Sequence, residues 1–317
     1  MYSDTTLLIH MGGLGDMCLS ESTFLSLSRH FQQNISSLGS LRFFKLFREY
    51  FNTIYSIESA KWLYLFSDYP SENRWKRIVF IGKDRQGDLQ RKWQALSEEE
   101  MIFIDMYPES MNDLLMEDRP AFGGTKTTHD HSSHLTRSSL GRFINASLVS
   151  RPSHIAVSVH VEDYQLMQLE RYGVRPIKKE ITSHPRNRVI LYPEVGITKS
   201  KWPHENFVEL HHTLKQRGMQ VQILESFGLN LPIVDKIIIE DLTNVKTFFE
   251  GGGIFVSNDS GMAHLAGICG LFTITIFSDF NPAIWHPRGD NISLRKGVDR
   301  VDIPTLSDMI VQLVKEG

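Results

Sequence analysis

Residues 254–277 read IFVSNDSGMAHLAGICGLFTITIF, and this pattern decides the fold. An apolar run over 254–257 meets the turn Asn258-Asp259-Ser260-Gly261. A helical stretch then runs to about 268, and a second apolar run covers 272–277. Short apolar runs bounded by turn residues read as strands buried on both faces. Two such strands joined by one helix form a β-α-β unit, whose strands pair in parallel. Outward from this unit the alternation continues, with strands over 188–192, 221–224 and 236–240 and helices over 205–217 and about 242–250. Gly218 and Gly251-Gly252-Gly253 are the stop signals of the two helices. The tail from 305 closes with a helix, because Leu306, Met309, Ile310, Leu313 and Val314 share one face.

The first half opens the same way. An apolar strand over 7–10 runs into Met11-Gly12-Gly13-Leu14-Gly15-Asp16, and Phe24, Leu27 and Phe31 then follow at helical spacing. Further strands are expected over 54–57, 78–81 and 101–104. Residues 121–142 are polar and turn-rich, a loop leading into a helix. The expected class is α/β, with a parallel sheet covered on both sides in each of two domains. They are placed at 1–150 and 185–317, with 151–184 as linker or crossover.

Composition agrees with two domains. The chain has 317 residues, against a prior of ~150 residues per domain. At 41% hydrophobic and 22% charged residues it can build large cores without disulfide or metal staples. The net charge of −3 supplies no global field for nucleic acid. Cys18 and Cys269 are the two cysteines. No C-x-x-C pair occurs, and a reducing cytoplasm fits this usage. The first apolar run is too short for a signal-peptide core, and nowhere is there an uncharged apolar run of about 18 residues. The expected location is cytoplasmic.

Three constellations carry chemistry. The turn Gly12-Gly13-Leu14-Gly15-Asp16 joins a strand to a helix, where doubly wound sheets bind ligands. It is not a dinucleotide fingerprint, since Cys18 holds the third glycine position, and no Lys-Ser/Thr makes it a phosphate loop. What remains is a carboxylate at a strand tip, a general base if it faces a cleft and a helix cap if it lies on its own helix. The second is Asn258-Asp259-Ser260-Gly261-Met262-Ala263-His264. Free backbone N–H groups at such a junction favour an anion, and His264 stands one turn in. A capped helix with a buried histidine is the alternative. The third, Tyr192 to Pro203, places Lys199 and Lys201 before Trp202-Pro203 at the start of a helix. There the lysines either neutralise a phosphate or are simply solvated.

In this order the motifs resemble those of the family 9 glycosyltransferases, the bacterial ADP-heptose:lipopolysaccharide heptosyltransferases. The matching elements are Gly15-Asp16, the loop Pro193 to Pro203, Asp259-Ser260-Gly261 to His264, and the loop Phe277 to Pro282. The resemblance implies a GT-B fold, two Rossmann-like domains facing a cleft, and inverting, metal-independent transfer of a sugar, heptose first among candidates, to a cell-envelope glycan such as lipopolysaccharide core. It implies Asp16 as catalytic base, facing the cleft opposite 258–264 rather than its own helix. Gly12, Gly13 and Gly15 then lie on the acceptor side, and Lys199, Lys201, Asp259, Ser260, Gly261 and His264 on the donor. The implied partners are an ADP-heptose-like donor and a glycan or lipid-linked acceptor, with no cofactor, metal or nucleic acid. Ser200 stands where the family has lysine, Glu194 where it has glycine and Ser22 where it has proline. These departures leave open a non-catalytic nucleotide-sugar binder of the same fold. A nicotinamide-dependent oxidoreductase is a further alternative, disfavoured by Cys18.

Two weaker features remain. His129, His131 and His134 form an H-x-H-x-x-H cluster in a Ser/Thr-rich stretch. Residues 41–51 are aromatic and basic at helical spacing, fitting either core packing or peripheral contact with the cytoplasmic face of the inner membrane.

Overall fold

The computed structural model describes residues 2–67, 72–108, 159–194, 201–226, 231–233, 236–297 and 299–317. It contains two parallel sheets. The first is built from β1 (Tyr2–His10), β2 (Ile35–Gly39), β3 (Thr53–Ser56), β4 (Arg74–Gly82) and β5 (Ile102–Asp105), in the order β3-β2-β1-β4-β5. The second is built from β6 (Val189–Tyr192), β7 (Val221–Ser226), β8 (Lys236–Ile239), β9 (Ile254–Asn258), β10 (Phe272–Phe277) and β11 (Asn291–Arg295), in the order β11-β10-β9-β6-β7-β8. Both orders reverse direction once, between β1 and β4 and between β6 and β9. In open parallel sheets such a reversal opens a crevice beyond the carboxyl ends of the strands.

The strands form where they do because both sheet faces are covered. All five residues of β9 are buried. Ile190, Leu224 and Phe255 pack on one side, Leu191, Ile223, Val256 and Ile274 on the other. The helix Leu242–Phe249 starts at Asp241, whose carboxylate accepts the Thr243 N–H at 2.7 Å. The last helix, Ile303–Glu316, starts at Asp302, which accepts from Thr305 at 2.9 Å. Both are side-chain N-caps.

Two strands were not anticipated. The run that forms β2, Ile35-Ser36-Ser37-Leu38-Gly39, has serine at two of its five positions, yet all five residues are buried between β1 and β3. β11 is only half buried and lies at the sheet edge. Residues 41–51 settle as core packing, with Phe44, Phe47, Tyr50 and Phe51 buried and Arg42, Lys45 and Arg48 exposed. The helix Val161–Leu169, inside the stretch assigned to the linker, packs against β5 and the helix Glu21–His30. The stretch 121–142 and the cluster His129, His131 and His134 lie outside the described residues. Among the described residues no helix is long and apolar enough to cross a membrane.

Candidate active site

The glycine turn after β1 is held by the strand's own last residue. His10 is buried, and its Nδ1 accepts the Gly12 N–H at 3.1 Å. With Nδ1 accepting, Nε2 carries the proton and donates to Ser20 Oγ at 3.2 Å. Burial lowers the imidazole pKa to about 3, so it stays neutral in that tautomer. The chain then enters the helix Leu14–Leu19. Asp16 Oδ2 accepts the Gly13 N–H at 2.8 Å, so the side chain does lie against the start of its own helix. This corrects the expectation that a cleft-facing Asp16 would leave that position. The reason is the four unpaired N–H groups of a helix start, which attract the nearest carboxylate. Burial raises the Asp16 pKa above the usual aspartate value, with the Gly13 hydrogen bond opposing.

The turn after β9 lies against this helix. The helix Gly261–Ile268 is capped by Ser260, whose side chain accepts from the Ala263 N–H. A methyl group on Gly261 would sit 2.9 Å from Leu14 Cβ and 3.1 Å from the Gly15 nitrogen; one on Gly15 would sit 2.9 Å from His264 Cδ2. The two helices therefore touch through backbone, an approach that only glycine permits. Asp16 and His264, 248 positions apart in the sequence, are brought to one joint between the sheets.

His264 is 5% exposed and its Nδ1 has no partner among the described residues. Burial, with help from the nearby His286, lowers its pKa to about 3, so it is a neutral donor or acceptor at physiological pH. Behind it His286 stacks on His160 at 4.2 Å, and His160 Nε2 donates to the His286 carbonyl at 2.9 Å. Burial and the neighbouring Asp279 carboxylate push Asp259 up to about 7. Asp259, just beyond the end of β9, thus holds its proton to near neutrality.

Asn258, the last residue of β9 and the first of the second motif, also organises the third. Its Oδ1 accepts the Trp202 N–H at 2.8 Å, and its Nδ2 donates to the Pro193 and Trp202 carbonyls at 3.2 Å each. It thus pins both described ends of the loop that carries the lysines. Trp202 is buried against Phe207 and donates Nε1 to the Val301 carbonyl. Lys201 is exposed, with Nζ 3.2 Å from His204 Nε2. Lys199 and Ser200 lie outside the described residues. Glu194 accepts the Ser226 N–H at the end of β7, an anchoring bond between neighbouring loops. Asn258→Ala strands these buried backbone groups and should lower stability by about 3 kcal/mol, read from the denaturation midpoint.

Two Rossmann-like parallel sheets, meeting where the helix that bears Asp16 lies against the helix that bears Gly261, define the fold class, GT-B. The sequence agrees, since residues 155–306 match the family model of glycosyltransferase family 9 (heptosyltransferase). The resemblance to that family therefore holds in sequence over this segment, and over nearly the whole chain it is the fold alone that is shared. E. coli heptosyltransferase WaaC with ADP superposes with a TM-score of 0.63 at 11% identity, covering 99% of this chain and 100% of that one. E. coli ADP-heptose LPS heptosyltransferase II gives 0.62 at 14% identity over 98% and 99%. A family 9 glycosyltransferase from Veillonella parvula gives 0.61 at 12% identity over 100% and 99%. No curated protein sequence matches the chain.

Proposed function

We propose that the protein transfers a heptosyl group, with inversion and without a metal ion, from an ADP-heptose-type donor to a cell-envelope glycan of the lipopolysaccharide-core kind. The reading divides the chain into an acceptor domain (1–150), a linker (151–184) and a donor domain (185–317), and places the reaction on the cytoplasmic side of the envelope. The observation that carries it is the joint itself, where the helix bearing Asp16 lies against the helix bearing Gly261 and His264.

In this mechanism the acceptor hydroxyl attacks the anomeric carbon from the face opposite the diphosphate. Its proton passes to Asp16, whose Oδ2 is held by Gly13, so Oδ1 receives it. The anomeric C–O bond breaks and its electron pair leaves on ADP. Negative charge grows on the diphosphate as this happens. The Gly261 and Met262 amides at the helix start, neutral His264, and Lys201 with Lys199 stabilise it there. Asp259 and Asp279 face the donor sugar, where a carboxyl that keeps its proton can donate to a hydroxyl.

The test incubates purified protein with ADP-heptose and a truncated-core acceptor in excess EDTA. Mass spectrometry should show the acceptor gaining one heptose. Binding of donor with no product at any acceptor would instead support the non-catalytic reading, and restoration only by magnesium would remove the metal-independent step.

Asp259 gives a second expectation. A bound diphosphate disfavours ionisation of Asp259, so binding takes up a proton. Affinity should therefore fall as pH rises through about 7. Calorimetry with an inert donor, such as the ADP-2-deoxy-2-fluoro heptose seen with WaaC, measures this directly. Heats that differ between buffers of different ionisation enthalpy report the proton, and Asp259→Asn should flatten the profile.

A further inference from the structure

The joint between the two helices is centred on Gly15 and Gly261, with the Leu14 and His264 side chains beside them. Backbone contact at glycine allows close approach, and groups outside the joint can further hold the register of one helix on the other.

Arg288 is 4% exposed, and its guanidinium reaches three separate segments. Nη1 donates to Glu21 Oε2 at 2.6 Å, Nε lies 2.7 Å from Glu162 Oε1, and Nη2 donates to the Lys179 carbonyl at 2.7 Å. The acids are themselves held. Tyr50 donates to Glu21 Oε1 at 3.1 Å, Ser22 Oγ donates to Glu162, and Lys178 stands 3.5 Å from Glu162.

These partners tie the two halves of the site together. Glu21 opens the helix that follows the Asp16 helix, with Ser20 alone between them. On the other side, a methyl group on Gly267 would sit 2.4 Å from the Arg288 carbonyl oxygen. Gly267 belongs to the same helix as Gly261 and His264. One residue thus bridges the helix that follows the Asp16 helix and the helix that carries Gly261 and His264.

Buried ion clusters contribute little net stability, because desolvation offsets attraction; their best-attested use is to specify one arrangement over others. The planar guanidinium suits that use, since its donors leave in fixed directions, whereas a lysine is a point charge on a flexible stem.

We propose that Arg288 is a positioning residue for sugar transfer: its bridge to Glu21 and Glu162 sets the register in which Asp16 meets the helix of Gly261 and His264. This rests on the transfer reading above. Arg288 itself touches neither donor nor acceptor.

The test uses the full chain in two forms. Arg288→Met with Glu21→Gln and Glu162→Gln removes the three charges together and leaves no uncompensated buried ion. Arg288→Lys keeps the charge and loses the fork. Donor affinity by calorimetry should be unchanged in both, because the donor groups all lie on the second sheet. Turnover at saturating substrates should fall at least about tenfold in the triple variant, since small misplacements of reacting groups are costly. Arg288→Lys should fall in between.

A second readout needs no catalysis. Cys18 is fully buried in a core cluster that spans both halves. In a Cys269→Ser background its labelling by an aromatic disulfide reagent should be faster in both variants than with Arg288 intact. Wild-type turnover and unchanged Cys18 labelling in a folded triple variant overturn the proposal. If the triple variant does not fold, the same two readings on Arg288→Lys decide it. If the wild type transfers no sugar from any donor, the transfer reading fails by itself, and the labelling alone decides whether Arg288 sets the register.

Discussion

Asp16→Asn lowers the turnover number by about 10²–10⁴-fold, the usual worth of general-base catalysis. The substitution is selective because of what the carboxylate does in the fold. The carboxylate accepts the Gly13 N–H at 2.8 Å, and an asparagine oxygen accepts that bond equally well. Asparagine also caps helices about as well as aspartate, so the melting temperature should stay close to that of the wild type. Donor affinity should stay as well, since the residues proposed to hold the donor lie on the other sheet. What asparagine cannot do is take a proton. In the wild type, burial raises the Asp16 pKa, so turnover should fall as pH drops through a value above that of a free aspartate. The acid limb should be missing from the residual rate of the variant. Equal rates for both proteins with a verified acceptor would take Asp16 out of the mechanism and favour a protein that binds nucleotide sugars without transferring them.

Gly15→Ala should cost at least about 10²-fold in turnover, while Gly13→Ala, two residues away, should be nearly silent. The difference is geometric. The added methyl at Gly15 would fall 2.9 Å from His264 Cδ2 and 3.6 Å from Gly261 Cα; at Gly13 its nearest neighbour is Asp16 Oδ2 at an ordinary 3.7 Å. The Gly15 methyl can be accommodated only if the two helices separate or the histidine swings away. Displacing reacting groups by about 1 Å can cost about 10²-fold. Gly12→Ala should resemble Gly15→Ala, because its methyl would lie 2.7 Å from both Asp16 Cβ and His10 Cε1. Steady-state kinetics on the three variants, each checked for folding by near-ultraviolet circular dichroism, measures the contrast. Equal losses at all three positions would mean that the turn needs glycine for its backbone alone and that the joint is not used.

How much of this was readable beforehand depends on where each residue gets its meaning. The second sheet, its edge strand β11 apart, was legible because its strands are continuous apolar runs separated by marked turns, as at 254–277. β2 was not, since Ser36 and Ser37 read as surface residues until β1 and β3 bury them. The site divides in the same way. Asp16, Asp259, Ser260, Gly261 and His264 stand in local motifs at strand ends and could be singled out one by one. His10 and Asn258 act through atoms contributed by other segments. Their one signal was a polar side chain closing an apolar strand. Nothing in the neighbourhood of Glu194 announced its bond to Ser226, because the partner lies on the next strand of the sheet. Arg288 is the extreme case, meeting Glu21 across 267 positions.

That separation has a consequence for how the molecule assembles. Each sheet closes over its own continuous block of chain, 2–105 and 189–295, so strand pairing within a block needs only moderate loop closure. The bridge from Arg288 to Glu21 needs both blocks to be formed already. Contacts of such long range reward the chain only after the entropy of closing the loop has been spent, which places them late in folding. Refolding from denaturant should then show strand formation by far-ultraviolet circular dichroism ahead of protection at the joint, with Cys18 remaining open to thiol reagents in the interval.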